Sequence, residues 1–314
     1  RMSGEAGAPY VTDDIGVGGE RIKIDGYITQ GVSDCTGNNV QAANVMSHEF
    51  GHVLGLPDYY HPTAEGGALG RRWVLGCWAL MAAGGWGCGP VDDSSVPFGP
   101  THLSAHSKEV LGWIDYVELG EVWNHEVFLD PVQSSGLALR VPIGESGNDF
   151  LIAEFRTQTG FDHQIPAEGV LMYKQDLTAS RRPDPATNDP YFLTVLEQDN
   201  NNGLLRNSYE GGNRGEAGDA WGVSSPSGKQ SASSRPLLKL STGPMRAVTV
   251  HDVAILDGRA RLVISTSWAP ILRKFLETQG PSLSQAESRY LDELGNGNGR
   301  YDLGDLRAWL RDNG

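Results

Sequence analysis

Two histidines and a glutamate at a fixed spacing are the residues of this chain best suited to catalysis. His48, Glu49 and His52 form the pattern H-E-x-x-H. On a helix the two histidines lie one turn apart on the same face, so both imidazoles can bind one metal ion. Zinc accepts neutral nitrogen ligands, keeps an open position and lowers the pKa of a water bound there. The pattern therefore predicts a zinc site, at which Glu49 takes a proton from the water that attacks a carbonyl and passes it to the leaving amine.

A glycine and an aspartate after the second histidine extend this pattern. Gly55 is expected to end the helix and let the chain turn back, which would bring Asp58 to the metal as a third ligand. The complete spacing, H-E-x-x-H-x-x-G-x-x-D, is typical of zincin metallopeptidases with an acidic third ligand. The alternative is a helix that carries two histidines by chance. The glycine, the aspartate and a later methionine favour the metal site.

Residues after the metal pattern have expected supporting roles. Met81 lies in the Gly-rich segment 76–86. It is expected on a tight turn beneath the metal as an apolar floor, with a plain core position as the alternative. Three further side chains are candidates for stabilising the oxyanion of the transition state: Tyr59, Tyr60 and His106.

The pattern of apolar residues predicts the elements that position this site. Residues 21–29 alternate apolar and polar side chains, which predicts an edge strand beside the cleft that binds extended substrate. Ordinary membership of a sheet is the alternative. Residues 31–39 are predicted to form a loop, and residues 40–54 the helix that carries the histidines.

A second helix is predicted for residues 100–114, with Thr101 as its cap and Gly112 at its end. His102 and His106 would then lie one turn apart. No acid stands between them, so packing or capping is favoured over zinc binding.

Seven short alternating runs follow, separated by Gly, Pro, Asn and Asp turns. They predict an antiparallel β-sandwich that packs against the catalytic part and shapes one end of its cleft. A separate adhesive or sugar-binding role is the alternative. The runs are 126–129, 137–143, 149–156, 169–175, 191–196, 247–256 and 260–267.

A glycine- and asparagine-rich loop near the C-terminus lies between two helical runs, 285–294 and 306–311. With Gly299 at the sixth position of a calcium loop, Leu294 occupies the first position, and Asp292 would have to reach in. The loop is similar to one half of a dockerin repeat, but one loop alone does not predict a cohesin partner. An Asn-Gly turn without an ion is the alternative. The expected calcium ligands are Asn296, Asn298, the Arg300 carbonyl oxygen, Asp302 and Asp305.

The predicted fold class is α+β, in three parts. These are a zincin-like catalytic part (1–116), a β-sandwich (117–268) and a small helical calcium-loop appendage (269–314). Only 39 residues precede the predicted metal helix. The upstream half of the catalytic part is therefore expected to be missing, either removed or supplied by a separate N-terminal chain or subunit. The chain opens at Arg1 without an initiator methionine, which indicates a processed or truncated product.

Composition excludes some classes of function. The chain has 25 Lys plus Arg against 39 Asp plus Glu and a formal net charge of −14, which argues against nucleic-acid binding. No apolar stretch is long enough to cross a bilayer. Acidity fits a secreted or calcium-binding protein. Cys77 and Cys88 flank a tight segment and are expected either to pair or, with Cys35, to stay reduced. The 211–219 loop is interpreted as a plain turn, with calcium binding as the alternative.

Several stretches together resemble the immune inhibitor A family of secreted bacterial metallopeptidases. The resemblance implies a zinc endopeptidase in which His48, His52 and Asp58 bind zinc and Glu49 is the catalytic carboxylate. Calcium ions are often structural in such enzymes. The chain departs from the family pattern in lacking the upstream half, in His61 and in His106. The similar stretches are 48–59, 78–86, 102–114, 150–156, 159–162 and 212–219.

The sequence thus predicts a secreted bacterial zinc endopeptidase that acts on protein or peptide substrates. One alternative is a catalytically incomplete zincin that serves as a calcium-stabilised binding or assembly module. An exopeptidase, which would need a pocket for a chain terminus, is the other. The intact H-E-x-x-H favours an enzyme.

Overall fold

The computed structural model describes most of the chain, and its helices and three sheets are compatible with the predicted α+β class. Cys35 and the 31–39 loop lie outside the described residues. Within the described part, no helix has the length and apolar character that a membrane crossing requires. The described residues are 7–29, 43–61, 67–88, 100–122, 125–143, 146–180, 190–222, 238–241, 247–266, 283 and 285–313.

The N-terminal part begins with an antiparallel hairpin of β1 (Tyr10–Ile15) and β2 (Arg21–Ile24). The predicted strand over 21–29 is therefore too long, and β1 was not anticipated. Beyond β2 the chain passes close to the metal helix, because a Cβ placed on Gly26 would lie 2.3 Å from Val53 Cγ1. Glycine is the residue that permits this approach.

Helix α1 (Ala43–Val53) carries the H-E-x-x-H histidines and agrees with the prediction over its described length. It ends as expected, since Gly55 adopts a φ of +93° and its N–H donates to the His52 backbone oxygen. The left-handed conformation is accessible to glycine at little cost. The chain then reverses toward Asp58.

Helix α2 (Ala105–Val110) is much shorter than the predicted 100–114. Ser104, and not Thr101, is its cap: the Ser107 N–H donates to Ser104 Oγ. His102 precedes the helix, and its backbone N–H donates to Asp162 Oδ1 at 2.9 Å. The expected pairing of His102 with His106 on one helical face is therefore wrong. Gly112, with a φ of +70°, follows the last turn as predicted.

All seven predicted runs form strands, and two further strands, β3 and β9, accompany them. In the five-stranded sheet, in the order β3-β5-β6-β7-β8, β3 pairs with β5 in parallel. A wholly antiparallel arrangement is therefore wrong. The other sheet, in the order β4-β11-β10-β9, is antiparallel. The strands are β3 (Asp115–Glu118), β4 (His125–Leu129), β5 (Leu137–Pro142), β6 (Asp149–Arg156), β7 (Gly169–Asp176), β8 (Leu193–Val195), β9 (Leu238–Ser241), β10 (Ala247–Leu256) and β11 (Arg259–Ser265).

The five-stranded sheet contributes to two hydrophobic cores. Leu151, Ala153 and Phe155 of β6 share one core with residues of β10 and β11 in the other sheet. Ile152 of β6 and Tyr173 of β7 belong to the core that contains the 76–86 segment. A strand covered on both faces is buried along its whole length, and β6 is buried from Leu151 to Arg156. The sheet thus joins the part of the chain that contains the 76–86 segment to the rest of the chain.

A buried ionic network lies where β6 meets the metal-binding part. The Arg156 guanidinium donates to both oxygens of Asp162 at 2.6 and 2.7 Å and to the Trp78 backbone oxygen at 3.1 Å. It also donates to Glu154, which in turn accepts from the Tyr173 hydroxyl at 2.6 Å. Burial raises the pKa of Asp162, but the charge and hydrogen bonds of Arg156 and the hydrogen bond from the His102 N–H together outweigh burial and hold that pKa below its ordinary value. This network fixes the 76–86 segment to the sheet.

Removing one charge from this network should destabilise the fold strongly. We expect Asp162→Asn to lower the free energy of unfolding by about 3–5 kcal/mol, because it removes one of the two carboxylates that compensate the buried Arg156 guanidinium. Asp130→Asn is the matched control, since Asp130 pairs with Arg259 at a site where both side chains are 48% exposed. That change should cost at most about 1 kcal/mol. Urea unfolding of both variants measures the difference, and equal losses would contradict the role of the buried network.

Two more helices lie near the C-terminus: α4 (Gln285–Leu294) and α5 (Leu303–Asn313). They contact each other and enclose the loop in which calcium binding is predicted. A single turn, α3 (Val132–Ser135), precedes β5.

Candidate active site

The structure brings together the three residues that the sequence predicts as metal ligands. His48 Nε2 lies 3.1 Å and His52 Nε2 lies 3.2 Å from Asp58 Oδ1. The two histidines project from one face of α1, and the turn at Gly55 carries Asp58 back to them. The ligand atoms of the three residues all lie within 4.8 Å of one another, close enough to share one metal ion.

Backbone oxygens set the tautomer of both imidazoles. His48 Nδ1 lies 2.8 Å from the Leu80 oxygen, and His52 Nδ1 lies 2.8 Å from the Leu56 oxygen. A carbonyl oxygen can only accept, so each Nδ1 carries the hydrogen. Each Nε2 then has a lone pair directed at the position shared with Asp58. Such backbone contacts orient histidine ligands in metal sites.

Two nitrogen lone pairs and a carboxylate favour a cation at their centre. Without a metal ion, a proton on a histidine can offset the negative charge of Asp58. Burial lowers the pKa of His48, but hydrogen bonds to Asp58 and to the Leu80 oxygen outweigh burial and raise it above its ordinary value. Two neutral imidazoles and one carboxylate are a donor set that suits zinc and its neighbours among the divalent transition metals. The residues present therefore fit a metal ion.

Glu49 lines a cleft next to this cluster. The cleft has a volume of about 540 Å³, and His52, Val53 and residues 25–29 form the rest of its wall. The segment that follows β2 thus runs beside Glu49, as the sequence predicts for the edge of the cleft, although it is not part of the strand.

Met81, the residue predicted as an apolar floor, packs against α1 at Gly51. Its side chain is fully buried, and a Cβ placed on Gly51 would lie 2.4 Å from its sulfur. Gly51 precedes His52 in the same helix turn. Gly85 approaches the other histidine, because a Cβ there would lie 2.9 Å from His48 Nδ1. Two glycines therefore allow the helix and the 76–86 segment to pack closely at the ligands.

Tyr60 lies against His48, whereas Tyr59 and His106 contact each other. The Tyr60 ring stacks on His48 with centroids 6.2 Å apart. Burial, then the negative charge of Asp58, raises the pKa of Tyr60 to about 12, so the phenol keeps its proton at neutral pH. The Tyr59 ring contacts His106. His106 also contacts Phe192 and lies 3.3 Å from Glu109.

Three aromatic rings and an arginine form a group beside His48 that the sequence did not predict. The Arg71 guanidinium lies over the rings of Tyr60, Trp73 and Trp86, at 4.6, 5.2 and 5.5 Å from their centroids. The Trp86 ring is itself 5.3 Å from the His48 ring. Such stacking holds a cation in place through the negative faces of the rings. Tryptophans that flank the Gly-rich segment are the sequence feature that indicates this group.

The cysteines of the described part do not form a disulfide. Cys77 and Cys88 are free, and the Cys88 thiol donates to the Cys77 backbone oxygen at 3.0 Å. Of the two alternatives for this pair, the structure has the reduced thiols. Burial raises the pKa of the Cys88 thiol well above its ordinary value, so it stays protonated.

The predicted calcium ligands near the C-terminus lie in one loop and bond mainly to one another. Asn296 and Asn298 donate to the Asp302 carboxylate at 3.0 and 2.7 Å, and Asp305 accepts from the Asn296 and Asp302 N–H groups. The Asn298 side chain also accepts from the Arg300 N–H. Asp292, which would complete the site, accepts from the Gly299 N–H at 2.9 Å. Calcium binding by this loop stays a prediction.

The close approach at Gly85 leads to a test of ligand orientation. Gly85→Ala should displace His48 from the Leu80 oxygen and weaken metal binding about 10–100-fold, as is typical when the support of a ligand is lost. Gly120→Ala is the control, because a Cβ there meets nothing within 4 Å. Competition for Zn²⁺ against a coloured chelator gives both dissociation constants. Equal constants would show that the contact does not orient His48.

Comparison with known proteins agrees with this geometry. Residues 11–114 match the family model of the immune inhibitor A peptidase M6 catalytic domain. That stretch contains the hairpin, α1, the reversal to Asp58, the 76–86 segment and α2. No curated protein matched the chain. The match supports the family resemblance, and with it a metallopeptidase that hydrolyses protein or peptide substrates.

Proposed function

We propose that this chain is the catalytic part of a zinc-dependent endopeptidase of the zincin type. The observation that carries the proposal is the convergence of His48 Nε2 and His52 Nε2 on Asp58 Oδ1. Hydrogen bonds from both Nδ1 atoms to backbone oxygens leave the ligating nitrogens without hydrogens. A zinc ion held there would polarise a substrate carbonyl and lower the pKa of a bound water.

The residues of the chain supply positioning and proton transfer. The segment 25–29, which lines the cleft, would hold a peptide along it. Glu49, in the wall of the same cleft, would take a proton from the attacking water and give it to the departing amine. Tyr60 keeps its phenolic hydrogen at neutral pH and would donate to the oxyanion that forms on the carbonyl oxygen.

We also propose that the two sheets of the second half form a β-sandwich that supports the catalytic part. The hydrophobic core between them and the buried Arg156 network support this role. A sugar-binding or adhesive surface has no such support.

We place the protein outside a bacterial cell, as the family resemblance implies. The net charge of −14 is consistent with an extracellular protein. Detection of the chain in culture medium tests this, and its retention in cells would contradict it.

Glu49→Gln should abolish proteolysis while leaving metal binding intact. We expect kcat/KM on a peptide with both ends blocked to fall by about 10²–10⁴-fold, because the general base is lost. The peptide should carry a fluorophore and a quencher on either side of an internal bond. Cleavage there requires endopeptidase activity, since an exopeptidase needs a free terminus.

The matched control is Glu168→Gln, since Glu168 is exposed. Zinc content near one ion per chain with no cleavage by the parent chain would favour the non-catalytic binding module, or a catalytic part that needs a separate N-terminal chain or subunit. Absence of zinc would overturn the proposal.

Tyr60→Phe tests the assignment of the oxyanion donor. Loss of a single such donor typically lowers kcat by about 10²–10³-fold with little effect on KM. Tyr209→Phe is the control because its side chain is 71% exposed. Zinc affinity is measured in parallel, since Tyr60 also hydrogen-bonds to Asp58. Unchanged kcat, or a loss explained entirely by lost zinc, would remove Tyr60 from the mechanism.

A further inference from the structure

An arginine and three aromatic rings lie beside His48, and the proposed mechanism does not use the charge of that arginine. Arg71 lies over the rings of Tyr60, Trp73 and Trp86, and these four residues form the Arg71 group. Tyr60 and Trp86 contact the His48 ring, so a single ring separates the guanidinium from a proposed zinc ligand. Trp86 is 39% exposed, and the group is therefore accessible from the protein surface.

The charge of Arg71 is not compensated by a carboxylate in the part of the chain that the structure describes. No Asp or Glu there forms an ion pair with Arg71, and its enclosed Nε has no hydrogen-bond acceptor. The next residue, Arg72, pairs with Glu210 at 3.1 Å. Aromatic faces attract a guanidinium without neutralising it. Among the described residues, Arg71 thus keeps its capacity to bind a carboxylate through two parallel hydrogen bonds.

The rings hold the Arg71 guanidinium in a defined position. Trp73 is 7% exposed and belongs to the hydrophobic core. A second arginine, Arg214, lies 5.3 Å from the centroid of the same ring, but it donates to the Ala83 and Gly87 oxygens. Arg214 therefore supports the backbone, whereas Arg71 has no such acceptor among the described residues. An arginine that is already immobilised loses little conformational freedom when a ligand binds, which favours binding.

Arg71 also lies close to the carbonyl group that would react. Burial and the charge of Asp58 raise the pKa of Tyr60, and the positive charge of Arg71 opposes them, so both charges act on one phenol. Tyr60 is the proposed donor to the oxyanion. Consecutive residues of an extended peptide lie about 3.3–3.6 Å apart. A carboxylate one or two residues from the scissile bond is therefore within reach of Arg71.

We propose that Arg71 binds a carboxylate of the substrate close to the scissile bond and so favours peptides with an acidic group there. This inference rests on the proposed peptidase function and names the substrate class of the same site. The carboxylate belongs either to an Asp or Glu side chain or to a free C-terminus, since both have the same chemistry. The net charge of −14 disfavours acidic peptides elsewhere on the surface, so Arg71 would act as a local exception.

Pairs of peptides that differ in one group test this preference. Each peptide is blocked at both ends and carries either Glu or Gln at one position, within two residues of the cleaved bond. We expect kcat/KM to be about tenfold higher for the Glu peptide at one such position, because a hydrogen bond between charged groups is gained. Arg71→Gln should reduce this ratio to about one. Arg71→Glu should reverse the preference, so that a peptide with Lys at that position is cleaved faster than the Glu peptide.

A second pair of peptides distinguishes the two sources of the carboxylate. These peptides carry no acidic side chain and end in either a free carboxylate or an amide. A preference for the free C-terminus that is lost in Arg71→Gln would assign the carboxylate to the chain end. A preference for Glu over Gln in the blocked peptides would assign it to a side chain. The ratio within each pair cancels any general loss of activity that the substitution causes.

Arg259→Gln is the matched control, because Arg259 also lies over a ring, 5.4 Å from the Phe128 centroid, in the other sheet. This variant should keep the preference of the parent chain. Fluorescence anisotropy with labelled peptides then measures binding to the Glu49→Gln variant in the presence of ZnCl₂. About tenfold tighter binding of the acidic peptide would support the role of Arg71 even if the parent chain cleaves neither peptide, a result that would count against the proposed function alone.

Two results would overturn the inference. One is equal binding and equal cleavage within every pair of peptides. The other is a preference for the acidic peptide that survives both Arg71→Gln and Arg71→Glu, because the carboxylate would then be bound by another group.

Discussion

The hydrogen bond from His48 Nδ1 to the Leu80 backbone oxygen connects the cluster of His48, His52 and Asp58 to the rest of the fold. The N–H of Leu80 donates in turn to the His102 oxygen, and the His102 N–H donates to Asp162. Asp162 is held by Arg156 on β6. A continuous series of hydrogen bonds therefore leads from the five-stranded sheet to a metal ligand. Second-sphere contacts of this kind decide how well a histidine is placed.

The 76–86 segment depends on partners far away in the chain because its own secondary structure is limited to two 3₁₀ turns. Arg156 binds the backbone oxygen of Trp78, and Asp219 binds its indole nitrogen. Arg214 donates to the Ala83 and Gly87 oxygens. In an irregular segment, many backbone N–H and C=O groups lack the partners that a helix or a strand would provide. Buried charged side chains can form those hydrogen bonds, provided that their own charges are compensated. Arg156 has that compensation from Glu154 and Asp162.

The local sequence pattern was sufficient to predict much of the fold and the convergence of His48, His52 and Asp58. The helical spacing of His48 and His52 and the turn at Gly55 follow from rules that act within one or two turns, and so do the strand runs. The cap at Ser104 and the parallel pairing of β3 were not predictable in this way, because tertiary contacts override a local preference there. The group around Arg71 and the contact of Trp78 with Asp219 join residues up to 141 positions apart. Their sequence spacing carries no information about such contacts.

The 76–86 segment shares a hydrophobic core with the five-stranded sheet. This core bears on how much of the chain is needed to hold His48, His52 and Asp58 in place. The family match ends at residue 114, yet the oxygen that orients His48 is held by a network whose charges lie at Glu154, Arg156 and Asp162. Ile152 and Tyr173 lie in the same core as Met81. The expected boundary at residue 116 falls inside β3, which pairs with β5 of the sheet. Cutting there would expose one face of that sheet and leave the 76–86 segment without its ionic partners. The geometry of His48, His52 and Asp58 thus depends on α1, the 76–86 segment and the five-stranded sheet together.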